Sequence, residues 1–279
     1  MEKNLTTGSV LKNVVSFSLT FLLSYFLQTL YGMADLFIIG QYEGVASTTA
    51  VSVGSQIMHM LTVMIVGLAM GTTVTIGRAI GAGDREKSAK GIGNTFTLFM
   101  GLSVVFTLLL FFLSGGIVSL VQTPEQAVDG TIKYLKVCFL GIPFITAYNI
   151  IAAIYRGIGD SKSPMYFVTV ACAANIGLDY FFMGALKMGP VGAALGTTLS
   201  QGISVVISLI FILKKKTDLP IKRAHFRPDR EVMGEILRIG VPVTLQDGFI
   251  QVAFMVVTVI ANRRGLTDAA AVGIVEKIM

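Results

Sequence analysis

Asp35, Asp179 and Asp247 each stand inside a long apolar run. A charged side chain there costs roughly 2.5–3.5 kcal/mol on insertion scales, so each marks a functional candidate by default. Two of them have polar company at helical spacing. Gln28, Tyr31 and Asp35 fall at i, i+3 and i+7, and Asn175 and Asp179 at i and i+4, so each set occupies one helix face. A third stripe is formed by Thr197, Gln201 and Ser204. The donors on offer are carboxylate, amide and hydroxyl oxygens, which suit a proton or a hard cation such as sodium. Two carboxylates in a partly dehydrated pocket can share a proton and titrate as a coupled pair. Tyr148, Asn149, Gln201 and Asp247 are further candidates for lining a cavity, with Gln28 and Tyr31.

The elements that must position these residues are membrane helices. The chain is 53% hydrophobic and 14% charged, with a mean hydropathy of +0.75, which excludes an ordinary soluble domain. Apolar runs of spanning length fall at roughly 14–39, 46–77, 93–121, 134–155, 164–186, 190–213 and 232–261, and an eighth opens near 267. Backbone polar groups in lipid must be satisfied within the segment, so all of these are expected to be helices. A loop holding Pro124, Glu125 and Asp129 is expected after the third run. The first run is too long for the apolar part of a secretion signal. Cys138 and Cys172 lie in apolar stretches without metal-type spacing, which indicates neither a disulfide framework nor a zinc site.

Lys and Arg divide unevenly between alternate connections. With the N-terminus inside, fifteen lie in inner segments and five (Lys133, Lys136, Lys187, Arg263 and Arg264) in outer ones, so the N-terminus is expected in the cytoplasm. The net charge of +6 is on this reading a loop property and not a nucleic-acid footprint. On this topology Asp35 is roughly 6 Å from the outer end of its run, Asp179 and Thr197 roughly 10 Å. Three helices thus present oxygens at similar depth, and Asp247 lies nearer mid-membrane.

An internal repeat is visible. GVASTTAVSVG (44–54) lies over GLTDAAAVGIV (265–275) at an offset of 221 residues, and the basic stretch 214–231 sits at the expected junction. This divides the chain into a six-helix lobe (1–213), a cytoplasmic inter-lobe loop (214–231) and the start of a second lobe (232–279). A proteolytic reading fails. GIGD (157–160) matches the element of intramembrane aspartyl proteases, but Asp160 lies in a polar turn on the inner side while Asp179 lies in the outer half. No enzyme activity is expected.

Several stretches resemble the MATE (multidrug and toxic compound extrusion) transporter family, in order along the chain. QTLYGMADLFIIGQYEG resembles its first helix, YRGIGDSKSPM the segment after its fourth, AANIGLDYFFM and GPVGAALGTTLSQ its fifth and sixth, and RIGVPVTLQDGF the start of its second lobe. The likeness is nearest to the prokaryotic DinF-like branch. It implies two six-helix lobes around a central cavity, with Asp35, Asn175, Asp179 and Thr197 at positions implicated in proton or sodium coupling. It also implies an antiporter in the cell membrane exporting amphipathic, often cationic, compounds, with no cofactor beyond the coupling ion. The family has twelve helices, so the missing helices of a C-terminal lobe are an expected partner. Alternatives are a lipid or lipid-linked oligosaccharide flippase, and a non-transporting scaffold or inactive half. The spans hold carboxylates and almost no Lys or Arg, which argues against a cavity built for pyrophosphate.

Overall fold

The computed structural model describes residues 9–214 and 222–264. The described residues form eight α-helices and no strand: α1 Val10–Tyr42, α2 Val45–Gly81, α3 Arg85–Leu120, α4 Glu125–Leu140, α5 Ile142–Gly157, α6 Lys162–Asp179, α7 Gly189–Lys214 and α8 Arg230–Arg264. A wide π-helical turn, Tyr180–Ala185, prolongs α6, and a 3-10 turn, Arg223–Phe226, precedes α8. Among the described residues five helices are long and apolar enough to cross a membrane, and α4 with α5, bent by 51° at their junction, passes the same test as a pair, as a broken span or a re-entrant loop. The seventh apolar run is covered by α8 as one 35-residue helix. The eighth run and the second repeat stretch, 265–275, lie outside the described residues, as do 215–221 of the basic loop.

The fourth span departs from expectation in two ways. Glu125 and Asp129 are not in a loop but in the first turns of α4, behind Pro124 at the N-cap. An acidic residue in the first turn suits the positive end of the helix dipole, and Asp129 pairs with Lys133 one turn on at 2.6 Å. The span then breaks at Gly141, which caps α4 and opens α5, with a proline in the first two positions of the new helix. A Cβ on Gly141 would collide with the Thr198 side chain of α7, so the glycine lets α7 pack against the break.

Helix α2 is the centre of the bundle, touching α1, α3, α4, α5 and α8. Its contact with α8 is made backbone to backbone. A Cβ on Gly71 would meet the carbonyl of Ile236, one on Gly240 the carbonyl of Leu68, and the Thr244 hydroxyl donates to the Met64 carbonyl at 3.2 Å. Small residues permit this approach, and within lipid dispersion and polar contacts replace the hydrophobic effect as the force between helices. The principal core gathers Ile38, Ile39, Val51, Leu135, Phe139 and Met183. An aromatic trio, Tyr155, Phe167 and Phe211, fastens α5, α6 and α7 with two 5.7 Å ring contacts and one of 6.4 Å.

The helix ends sort onto two sides. Lys87 pairs with Glu235 at 3.1 Å, and Glu86 with the buried His225 at 2.9 Å, so the start of α3 lies beside the start of α8. At the opposite end Glu43 faces Gly189 and Gly130 faces Pro190.

Candidate functional site

Asp35 lies on α1 between the buried Ile38 and Ile39 and the half-buried Ala34 and Leu36, and is itself only 3% exposed. Helix α1 continues two further turns beyond it to Tyr42. Its carboxylate points into the seam with α6 and α7. The Thr197 hydroxyl donates to Asp35 Oδ2 at 3.1 Å, across 162 residues of sequence. Asn175 and Asp179 lie beside the same carboxyl group. The structure thus brings these four residues together.

The pocket is polar and short of partners. Among the described residues no donor or acceptor reaches Asp35 Oδ1, either oxygen of Asp179, or either amide atom of Asn175. Two ionised carboxylates have no proton to put between them, whereas one shared proton would turn their approach into a hydrogen bond. None of the ion pairs among the described residues involves Asp35 or Asp179. Buried polar atoms without partners are uncommon in native proteins and call for water, a proton or an ion. Two carboxylates, an amide and a hydroxyl form an all-oxygen acceptor set suited to a proton or a hard cation.

Three neighbours complete the pocket and carry no signal in helical spacing. Gly196 precedes Thr197 on α7, and a Cβ there would overlap Asp179 Oδ1. Its missing side chain is the space that the carboxylate fills. Tyr134, fully buried on α4, lies close enough to Asp35 to feel its charge and shares a 3.1 Å hydrogen bond with Ser55 of α2. The Thr198 hydroxyl is buried without a partner among the described residues, near Cys138. The π-helical turn begins directly after Asp179, and such turns occur often at functional sites.

The remaining candidates separate from this cluster. Gln201 is buried one turn beyond Thr197, with its carbonyl oxygen unpartnered among the described residues. Gln28 is half-buried on α1, and the side chain of Tyr31 lies outside the described residues. Tyr148 and Asn149, on α5, stand apart from the carboxylate pair. Both are packed in the core, and the Asn149 amide donates to the Ile145 carbonyl of its own helix. Asp247 is turned toward α2, its Oδ2 3.0 Å from where a Cβ of Gly67 would lie. Asp160 accepts from the backbone N–H groups of Lys162 and Ser163 and from the Ser163 hydroxyl, so it caps α6 at the end remote from Asp179.

Comparison with known proteins bears on the family and the fold. Residues 21–181 match the family model MatE. The probable multidrug resistance protein YpnP of Bacillus subtilis is 33% identical over 273 residues, covering 98% of this chain and 61% of its own. A MOP superfamily transporter from Pyrococcus furiosus, described as having a binding pocket of reverse polarity, superposes with a TM-score of 0.89 at 27% identity, over 98% of this chain and 61% of that one. A multidrug resistance MATE transporter in the outward-facing conformation superposes with a TM-score of 0.88 at 27% identity, over 98% of this chain and 60% of that one. The chain thus spans about three fifths of the length of these proteins.

Proposed function

The chain belongs to the MatE family, and from that premise we propose that it is the cation-coupling lobe of an antiporter exporting amphipathic, often cationic, organic compounds. The multidrug resistance named for its relatives supports the substrate class. Proton or sodium from outside enters the pocket of Asp35, Asn175, Asp179 and Thr197, and a second lobe completes the drug cavity. The N-terminus lies in the cytoplasm.

The observation that carries this reading is the buried carboxylate pair with its unpartnered oxygens at the seam of α1, α6 and α7. An occupying cation removes the repulsion between the two carboxylates and allows α1 to sit closer to its neighbours. Helix α1 has room to respond, since most side chains between Val10 and Leu23 are exposed and make little contact with the bundle. Coupling requires that the drug bind the occupied and empty states with different affinity, and a repacking of α1 supplies that difference.

The test is efflux from vesicles by a full-length protein containing this sequence, with proton and sodium gradients imposed separately. Asp35→Asn keeps the volume and removes the charge, and should retain drug binding while losing gradient-driven efflux. Normal pumping by this variant under both gradients would overturn the assignment.

A further inference from the structure

We propose that Lys222–Arg230 forms a docking surface for anionic phospholipid headgroups at the rim of the bundle. This goes beyond the transport reading and does not depend on it.

The segment is a built structure and not a slack tether. Asn94 of α3 donates to the His225 carbonyl at 3.2 Å and accepts from the Asp229 N–H at 2.7 Å. The Thr97 hydroxyl donates to the Phe226 carbonyl at 2.7 Å. Gly93 leaves the space in which the backbone of His225 rests. His225 is buried, accepting the Lys222 N–H at 3.2 Å on Nδ1 and meeting Glu86 through Nε2 at 2.9 Å. The Phe226 ring lies 6.2 Å from that of Phe96 and is 41% exposed.

Position along α3 fixes its depth. The exposed apolar band of that helix runs from Val104 to Leu120, about 24 Å at 1.5 Å per residue. The hydrocarbon core is about 30 Å thick, with a headgroup layer of roughly 6 Å on each side. Thr97, and Phe226 bound to it, then lie some 10 Å before Val104, at the outer edge of the headgroup layer.

Charge supplies the choice of lipid. Lys222, Arg223, Arg227 and Arg230 are all exposed and make no ion pair among the described residues. Of the nearby acids Glu235 is paired with Lys87, while Glu86, which meets His225, and Asp229, which accepts from the N–H groups of Glu231 and Val232, offset part of this charge. Glu231 is exposed. Four cations fixed in the headgroup layer around an aromatic wedge match a phosphodiester surface, at about fivefold in partitioning per basic side chain.

The chain contains no tryptophan, so Phe226→Trp provides a single fluorescent reporter. The full chain carrying it is reconstituted in bilayers of equal phosphatidylcholine and phosphatidylglycerol, with bromine on the acyl chains of one lipid or of the other. Quenching should be stronger with bromine on phosphatidylglycerol. The excess should fall at high salt and in Arg223→Gln/Arg227→Gln/Arg230→Gln, whose unquenched emission spectrum reports whether the segment is still seated. Equal quenching by the two brominated lipids would overturn the proposal, and so would no quenching by either.

Discussion

Replacing Gly196 with alanine adds one methyl group at the tightest point of the candidate site. That carbon would overlap Asp179 Oδ1 and lie 3.1 Å from Asp179 Cγ. Asp179 is fully buried, and a side chain with two torsions can retreat only by leaving its rotamer, at roughly 0.5–1.5 kcal/mol. Overpacking of a well-filled interior costs about 1–3 kcal/mol. If that cost falls on the geometry that receives the cation, affinity drops between roughly fivefold and 150-fold. Gly202 on the same helix is the control, because a Cβ there would meet Phe144 at an ordinary 3.8 Å. Alanine is the better helix former by about 1 kcal/mol, so Gly202→Ala should be neutral or stabilising. The assay is the cation-induced rise in melting temperature of the purified chain, which follows binding to the folded state. Gly196→Ala should need at least fivefold more sodium, or a correspondingly lower pH, for the same rise. A response to both cations equal to that of Gly202→Ala would refute the reasoning.

Further outcomes are expected elsewhere. Asp160→Ala removes the cap of α6 and should lower stability by about 1 kcal/mol, read as a drop in melting temperature with cation response unchanged. Gly71→Val forces the α2 and α8 backbones apart and should destabilise the chain by at least about 2 kcal/mol, whereas Gly101→Val, with open space around it, should cost well under half of that. Cysteines placed at Gln126 and Asp84, both exposed and at opposite ends of the bundle, should react with an impermeant reagent in intact cells at position 126 only.

The spans were legible because lipid imposes a simple rule: a run of about twenty apolar residues must be helical. The four-residue cluster was legible for a related reason. Asn175 and Asp179 share a face by spacing alone, and depth along α1, α6 and α7 can be counted in residues. What escaped depends on contacts between elements. Nothing in GIPF announces that the fourth span bends at Gly141, since the bend is shaped by Thr198 on another helix. Gly196 reads as one more small packing residue until the Asp179 carboxylate is seen occupying its missing side chain. Tyr134 and Ser55 meet across 79 residues. The buried Asn149 amide satisfies itself on its own helix, four residues back, a contact that residue type alone does not announce.

The account turns on whether the pocket at Asp35 and Asp179 takes up a cation, and direct binding measures this. Radiolabelled sodium retention and proton uptake would be followed on the purified chain, comparing wild type with Asp35→Asn, Asp179→Asn and Asp160→Asn. Wild type and Asp160→Asn should bind at least one of the two cations alike, while Asp35→Asn and Asp179→Asn lose that binding. Wild-type binding of both cations by Asp35→Asn and Asp179→Asn would contradict the central claim.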